Sequence, residues 1–307
     1  MKTAVVLTAH GTVESLDDLA PFISQIRRGR PAPPEVVAEV RHRYEAIGGQ
    51  SPLLAASREL AKKVEAKLGV PTKIAMRLWH PFPAEVVPEL AKDGFTKIAV
   101  VPLAQFSASI YGDAIAKAAK DVEAAGGPSI TVRCTENWGL NPGLVTAQAK
   151  RVQNAIDAIA PEHRKNSRII FSAHSLPKFL IDQGDSYEVD FRASVAAIVQ
   201  ALGPNLPPHF VCFQSQGMSA PGERTVEWLG PNLQLMLDDV KASGASHVVF
   251  APVGFLADHV EILFDLDIEA KAWATERGLT SSRIESLNAA DDFVDVIAGL
   301  AAPLLLD

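Results

Sequence analysis

Three carboxylates in the last fifth of the chain are spaced in a way that could serve metal chemistry. If the segment from Asp258 to Glu269 is a helix, Glu261, Asp265 and Glu269 fall four residues apart and share one face. Like charges at this spacing repel each other and cost roughly a few tenths of a kcal/mol per pair. A row of hard oxygen ligands suits a divalent cation, although a solvated acidic face would show the same pattern.

Histidines follow several short apolar runs. His10 follows the run that ends in Thr8-Ala9, and His174 follows Ser172-Ala173 in the second half. His80 comes after a third run. An imidazole titrates near neutral pH and can act as a general base, whereas a buried structural histidine would fit a single such position equally well. The same placement in both halves favours a functional site.

The elements that must position these residues can be predicted from the hydrophobic pattern. Short β-branched runs alternate with helical patterns, which predicts βαβ units and parallel sheets, an α/β fold. The predicted strands are Thr3–Thr8, Lys73–Trp79, Lys97–Leu103, Ser129–Cys134, Arg168–Ser172, His209–Gln214, His247–Val253 and Ser282–Leu287. Helical patterns include Ala56–Lys67, Pro83–Lys92 and Gly112–Ala125.

The two halves of the chain resemble each other. The stretch GFTKIAVVPL at 94–103 has a counterpart, GASHVVFAPV, at 244–253. We therefore predict two similar doubly wound domains, residues 1–150 and 151–307, joined near 147–164, with a last helix at about 291–305 that could pack on either. Ligands of such sheets bind at the carboxyl ends of the strands, so the histidines could line one cleft between the domains.

Composition excludes several classes of function. The 307 residues carry a net charge of −7, which argues against a nucleic-acid-binding protein. Two cysteines, Cys134 and Cys212, lie in apolar runs and cannot supply the four thiolates of an iron–sulfur cluster. Signal-peptide and membrane-span patterns are missing, so we expect a soluble cytoplasmic protein. Nucleotide-binding loops, GxSxG, HExxH and CxxC motifs are also missing.

Two further groups could contact a ligand. Arg27, Arg28 and Arg30 form a basic cluster in an acidic protein, and guanidinium groups bind carboxylates in a bidentate manner. A solvated loop would explain the cluster as well. When the halves are aligned, Tyr111 occupies the place of Glu261, so a tyrosine and a carboxylate could face the same cavity.

Several motifs together resemble the ferrochelatase family. They are RYEAIGGQSPL, FSAHSLP, QGDSY, FQSQG with WLGP, and PVGFLADHVEILFDLDIE, and they extend in order over almost the whole chain. The resemblance implies two Rossmann-like domains and insertion of Fe²⁺ into a porphyrin. His174 matches the essential histidine of the family, and Glu261 matches its partner carboxylate. Asp265 and Glu269 match an acidic ladder behind that carboxylate, proposed as a metal path or an outer metal site.

The resemblance also implies substrate contacts. Residues that match positions around the porphyrin or its carboxylates are Arg27, Arg28, Arg30, Ser51, His80, Tyr111, Gln214 and Trp228. The fit is closest to the soluble bacterial branch that acts on coproporphyrin III. A tyrosine that can ligate iron usually occupies the place of His10 in that branch, so we include His10 among the candidate metal ligands with His174, Glu261, Asp265 and Glu269.

The expected function is therefore insertion of Fe²⁺ in haem biosynthesis, with coproporphyrin III favoured and protoporphyrin IX next. Alternatives are a cobalt or nickel chelatase of a related tetrapyrrole and a non-catalytic haem or metal carrier. We expect porphyrin and Fe²⁺ as partners, no tightly bound cofactor, no nucleic acid, no membrane insertion and a monomer.

Overall fold

The computed structural model describes residues 2–217 and 226–306 of the protein. Within those ranges the chain forms eight strands. They are β1 (Thr3–Ala9), β2 (Thr72–Met76), β3 (Lys97–Pro102), β4 (Thr131–Cys134), β5 (Ser167–His174), β6 (His209–Gln214), β7 (His247–Ala251) and β8 (Thr280–Arg283). Each lies where the sequence predicts a strand, with ends that differ by a few residues.

The strands form two four-stranded parallel sheets of the same topology. Their orders are β2-β1-β3-β4 and β6-β5-β7-β8. The central strands consist mainly of buried apolar residues because helices cover both faces of each sheet. The prediction of a doubly wound α/β fold with an internal repeat is thereby confirmed.

Helices connect the strands in the described ranges. They are α1 (Leu19–Ile26), α2 (Pro34–Ala46), α3 (Leu53–Leu68), α4 (Pro83–Lys92), α5 (Ala108–Ala124), α6 (Pro142–Asp157), α7 (Lys178–Asp182), α8 (Tyr187–Leu202), α9 (Leu233–Ala242), α10 (Val260–Leu263), α11 (Lys271–Glu276) and α12 (Asp291–Leu305). Between α10 and α11 lies a π-helical segment, Asp265–Ala270, which we call the π segment.

The chain divides into two compact units that are not continuous in sequence. Unit 1 contains residues 1–32, 50–143 and 288–307, and unit 2 contains residues 33–49 and 144–287. The predicted boundary at residue 150 lies inside α6, and the predicted linker near 147–164 lies within unit 2. The last helix, α12, belongs to unit 1. The hydrophobic pattern could not show this, because an amphipathic helix does not specify which core it covers.

Each sheet has its own apolar core. In unit 1 one cluster contains Ile98 and Val100 of β3 together with helix residues such as Leu90 and Ile115. In unit 2 a cluster contains Val248 of β7 and residues of the segment that follows it, including Ile262 and Leu266. The segment with the three carboxylates, residues 258–269, which we call the acidic segment, therefore packs on its sheet through buried apolar side chains that lie between the carboxylates in the chain. In the described part of the chain, no helix is long and apolar enough to cross a membrane.

Candidate active site

His174 is the last residue of β5, and hydrogen bonds fix its position. Its carbonyl oxygen accepts from the Tyr187 hydroxyl at 3.0 Å. The imidazole Nδ1 donates to the carbonyl oxygen of Ser175, which can only accept. That contact directs Nε2 toward Glu261, whose Oε1 lies 3.4 Å away. His174 and Glu261, which were predicted to work together, are thus in contact, although they are far apart in the chain.

The Glu261 carboxylate lies between two imidazoles. Its Oε2 is 3.4 Å from Nε2 of His259, and Nδ1 of His259 donates to the carbonyl oxygen of Ala257 at 3.1 Å. Both histidines therefore carry a proton on Nδ1 and present Nε2 to the carboxylate. The side chains of His174 and Glu261 are 32% and 33% exposed, so a substrate can reach them.

The contact between His174 and Glu261 shifts both pKa values. Burial lowers the pKa of His174, but the Glu261 charge, its hydrogen bond and the Ser175 carbonyl outweigh burial, and the net pKa is raised. Burial raises the pKa of Glu261, but His174 and His259 outweigh it, and the net pKa lies well below the usual range for glutamate. The pair therefore stabilises a proton on Nε2 of His174, so the neutral imidazole is a stronger base here than in an isolated histidine.

The start of the α10 turn is held against the ends of β5 and β6. The side-chain amide of Gln214 donates to the Glu261 carbonyl oxygen at 3.1 Å and accepts from the Ser172 hydroxyl at 2.6 Å. The backbone N–H of Gly254 donates to the Ser172 carbonyl oxygen at 3.0 Å. A Cβ atom on Gly254 would lie 2.3 Å from Cβ of Ala173, so only glycine permits this approach.

We expect Gly254→Ala to lower both stability and activity. The added methyl group must push the loop away from Ala173, and overpacking of this kind costs about 1–3 kcal/mol of unfolding free energy. Because Ala173 precedes His174 directly, the displacement also separates the imidazole from Glu261. Thermal unfolding and the rate of metal insertion, measured on the same preparation, test this expectation.

Gly299 provides the matched control for Gly254. It lies on the exposed side of α12, and nothing lies within 4 Å of an added Cβ atom. Gly299→Ala should therefore stabilise the helix by about 0.5–1 kcal/mol without changing the rate. Equal stability and rate in the two variants would contradict the role of the close contact at Gly254.

The acidic segment is not the continuous α-helix that the sequence predicts. After the single turn of α10, the amide of Glu269 donates to the Phe264 carbonyl oxygen at 3.0 Å, the i→i−5 bond of a π-helix. The face shared by Glu261, Asp265 and Glu269 therefore does not follow α-helical geometry. The charges of Glu261 and Glu269 nevertheless both raise the pKa of Asp265, which lies between them in the chain.

Asp265 is the most buried of the three, at 6% exposure. Its Oδ2 accepts from the Ser215 hydroxyl, and its Oδ1 lies 3.3 Å from Nη1 of Arg43. Burial and the neighbouring Glu261 charge raise the pKa of Asp265 to about 7, despite these two partners. Burial raises the pKa of Glu269 as well. Asp265 can therefore gain or lose a proton near neutral pH.

Within the described ranges, no three histidine, cysteine, aspartate or glutamate side chains are arranged to hold a metal ion. The assignment of His10, His174, Glu261, Asp265 and Glu269 as metal ligands stays a prediction.

Trp228 lies beside the loop that follows His174. It forms an isolated antiparallel bridge with Pro177, and the Leu229 amide donates to the Leu176 carbonyl oxygen at 2.9 Å. Gly217 packs against its indole, where a Cβ atom would come within 2.6 Å. Trp228 thus supports the backbone next to the candidate base, and its predicted contact with a porphyrin stays a prediction.

In unit 1, His10 directly follows β1 and His80 lies four residues beyond β2 rather than at its end. Ring contacts connect them through Phe22 and Trp79, with centroid distances between 5.3 and 6.3 Å. The imidazole of His80 is 58% exposed, and its Nδ1 lies 2.8 Å from Oε1 of Glu85. Phe22 is buried, Trp79 is half-buried, and neither was predicted to belong to the site.

The basic cluster lies at the end of α1. Arg28 and Arg30 are exposed and Arg27 is half-buried. Arg28 has a φ of 57° and precedes Gly29 at 84°, so the backbone passes through the left-handed region within the cluster. The Ser51 hydroxyl accepts from the Leu53 amide at 3.4 Å, before α3. Tyr111, in the first turn of α5, has the guanidinium of Arg77 5.7 Å from its ring centroid.

Sequence reasoning missed three polar partners in unit 2. They are His259, Ser215 and Arg43, and the sequence assigned none of them a role in the site. Each lies within or next to a motif of the resemblance, which was the available signal. Pairing Arg43 with Asp265 needs the three-dimensional structure, since 222 residues separate them in the chain.

Comparison with known proteins shows the family of the chain. A family model described as Ferrochelatase matches residues 2–303. The chain is 32% identical over 302 residues to a ferrochelatase of Herpetosiphon aurantiacus, covering 96% of this chain and 97% of that protein. It is 33% identical over 306 residues to the coproporphyrin III ferrochelatase of Bacillus subtilis, with 97% and 96% covered.

Solved structures show the same fold at lower identity. SirB from Bacillus subtilis with Fe³⁺ superposes with a TM-score of 0.59 at 16% identity and covers 99% of this chain and 96% of its own. The sirohydrochlorin chelatase SirB in complex with cobalt gives a TM-score of 0.58 at 15% identity. The family model and the relatives above 30% identity extend over nearly the whole chain, and the chain therefore belongs to the ferrochelatase family of metal chelatases.

Proposed function

We propose that this enzyme inserts Fe²⁺ into coproporphyrin III. The observation that carries the proposal is the contact between His174 and Glu261 at the end of β5, at 3.4 Å. Metal insertion replaces two pyrrole N–H protons by one divalent cation, so the site must accept protons close to the ring. A histidine whose Nδ1 is held by a carbonyl and whose Nε2 lies beside a carboxylate is suited to that task.

His174 is the candidate general base. Nε2 takes a pyrrole proton, and the adjacent Glu261 carboxylate stabilises the imidazolium that forms. The proton can then pass to the carboxylate and on to His259, which contacts its other oxygen at 3.4 Å. Removal of the protons exposes pyrrole nitrogen lone pairs to the incoming metal. Binding energy of the ring would supply the distortion that metal entry requires, roughly 1–5 kcal/mol.

We assign Asp265 to proton transfer rather than to metal binding. Two observations support this assignment: its pKa of about 7 permits exchange near neutrality, and the Arg43 cation lies 3.3 Å from one oxygen. A guanidinium at that distance repels a second cation and lowers the metal affinity of the carboxylate. Glu269, which is less buried, keeps the predicted role of an outer metal contact.

The choice of coproporphyrin III rests on the basic cluster and on the relatives. Coproporphyrin III carries more propionates than protoporphyrin IX, and Arg28 and Arg30 are exposed. The Bacillus subtilis relative is named for coproporphyrin III. The direct test compares both porphyrins with Fe²⁺ under anaerobic conditions. A higher kcat/KM for coproporphyrin III is expected, preference for protoporphyrin IX would refute the substrate, and stoichiometric binding without turnover would indicate a carrier.

Loss of the basic cluster should affect the two porphyrins unequally. Arg27→Ala/Arg30→Ala is expected to raise KM for coproporphyrin III by about 2–30-fold, since each of the two ion pairs contributes about 0.2–1 kcal/mol. The KM for protoporphyrin IX should rise less. Lys62→Ala/Lys117→Ala removes two exposed charges elsewhere in unit 1 and is the control. Equal increases for both porphyrins would contradict a carboxylate-binding role.

A further inference from the structure

Arg283, the last residue of β8, binds both ends of the segment that carries Glu261. We call residues 258–267 the Glu261 segment. The Nε and Nη2 atoms of Arg283 donate to the two carboxylate oxygens of Asp267 at 2.7 and 3.0 Å. Its Nη1 lies 3.2 Å from Oδ1 of Asp258. The Arg283 side chain is only 16% exposed, so its guanidinium is largely shielded from solvent.

The guanidinium is itself held in place on the Asp258 side. Nη1 also donates to the Ile284 carbonyl oxygen at 3.0 Å, and the Ser286 hydroxyl donates to Oδ1 of Asp258 at 2.7 Å. Asp258 directly precedes His259, whose carbonyl oxygen accepts from the amides of Ile262 and Leu263. The orientation of Asp258 thus sets where the α10 turn begins.

The turn needs such support because it is short. Helix α10 has four residues, and a single helical turn is not stable by itself. The bidentate contact with Asp267 holds the far end of the Glu261 segment, and the Asp258 contact holds the near end. Arginine can make both contacts at once because its guanidinium presents several N–H donors in a fixed plane.

We propose that Arg283 is a positioning residue: it holds the Glu261 segment so that the carboxylate keeps its contacts with His174 and His259. The inference rests on the proposed function, since it concerns the same carboxylate. Arg283 has no part in the chemistry itself and acts through Glu261. Its loss should therefore affect the proton-transfer step and leave porphyrin binding nearly unchanged.

The first test compares Arg283→Gln with Arg277→Gln. Arg277 is a matched control in unit 2: its Nε lies 2.7 Å from Oδ1 of Asp238, its Nη1 donates to the Trp273 carbonyl oxygen, and both partners lie outside the Glu261 segment. We expect Arg283→Gln to lower kcat by about 10–100-fold, the usual effect of losing a residue that orients a reacting group. KM for the porphyrin should change less than about twofold, and Arg277→Gln should keep the wild-type kcat.

The second test places Arg283→Gln in a Glu261→Gln background. If Arg283 acts through Glu261, the double variant should have nearly the kcat of Glu261→Gln alone, because the carboxylate that it positions is already gone. A purely structural role predicts that the two effects multiply. Arg283→Lys keeps the charge but loses the two-pronged contact with Asp267, so it should recover part of the rate.

A measurement without turnover separates this inference from the proposed function. The ring ¹⁵N resonances of His174 and His259 should shift in Arg283→Gln and stay in place in Arg277→Gln. Unshifted resonances, an unchanged kcat or multiplying effects would each overturn the role of Arg283. Failure of the wild-type protein to insert metal would instead refute the proposed function, and the resonances would still test the positioning role.

Discussion

His174→Ala should lower kcat for metal insertion by about 10²–10⁴-fold, the range that a positioned general base contributes. The variant loses the imidazole at the end of β5, and with it the Nε2 atom that accepts a proton beside Glu261. The Glu261 carboxylate that remains is ordinarily a weaker base than an imidazole. The rate is read from the loss of the free-base porphyrin spectrum under anaerobic conditions.

The fold should survive this substitution. The imidazole is a third exposed, and its one backbone hydrogen bond contributes about 0.5–1.5 kcal/mol. His209→Ala is the control, since His209 lies in the same sheet at the opposite end of the adjacent strand β6. It should retain the wild-type rate. Near-normal turnover in His174→Ala, with an unfolding midpoint close to that of wild type, would refute the assignment of the base.

Glu261→Gln should lower kcat by about 10²-fold or more, since an isosteric amide can no longer stabilise the imidazolium. It should also change the pH dependence. In the wild type, Glu261 raises the pKa of His174, and the base works only when it is neutral, so the rate rises with pH through that raised value. The amide removes this cause, and the acid limb of the profile should move to lower pH.

Stability gives a second readout for the same variant. The raised pKa of His174 contributes stability that is complete below its ordinary value of 6.5 and is lost as the pH rises. The lowered pKa of Glu261 contributes stability that is complete above 4.5 and is lost as the pH falls. The free energy of unfolding of the wild type should therefore exceed that of Glu261→Gln by the largest amount between about pH 4.5 and 6.5. Glu188→Gln, which breaks the pair with Arg192, is the control. An acid limb that does not move would contradict the coupling.

Most of the fold could be predicted because its signals are local. Strands such as Lys97–Pro102 are continuous apolar runs bounded by turn residues, and the repeat at 94–103 and 244–253 indicates the common topology. The contact between His174 and Glu261 was also predictable, since residues after parallel strands meet at one edge of the sheet. The motifs that contain His174 and Glu261 identified these two residues as the pair.

The features that the sequence did not predict depend on contacts between distant segments. A carboxylate at every fourth position fits an α-helix, and nothing in the pattern at 261–269 signals the wider turn of the π segment. That turn is selected by partners elsewhere, such as Gln214 on β6 and Ser215 beyond it. Local periodicity also cannot predict that residues 33–49, from the first half of the chain, belong to unit 2. Nor can it predict that residues 288–307, from the second half, belong to unit 1.

The path of the chain has a consequence for dissecting this enzyme. A fragment cut at Gly143 and Leu287 would contain both His174 and Glu261 but would lack α2, which enters unit 2 from the first fifth of the chain. Without Arg43, the Asp265 carboxylate would lose its guanidinium partner and remain buried with an adjacent acid. Restoring the full set of unit 2 side chains would thus require a synthetic peptide of residues 33–49 supplied in trans.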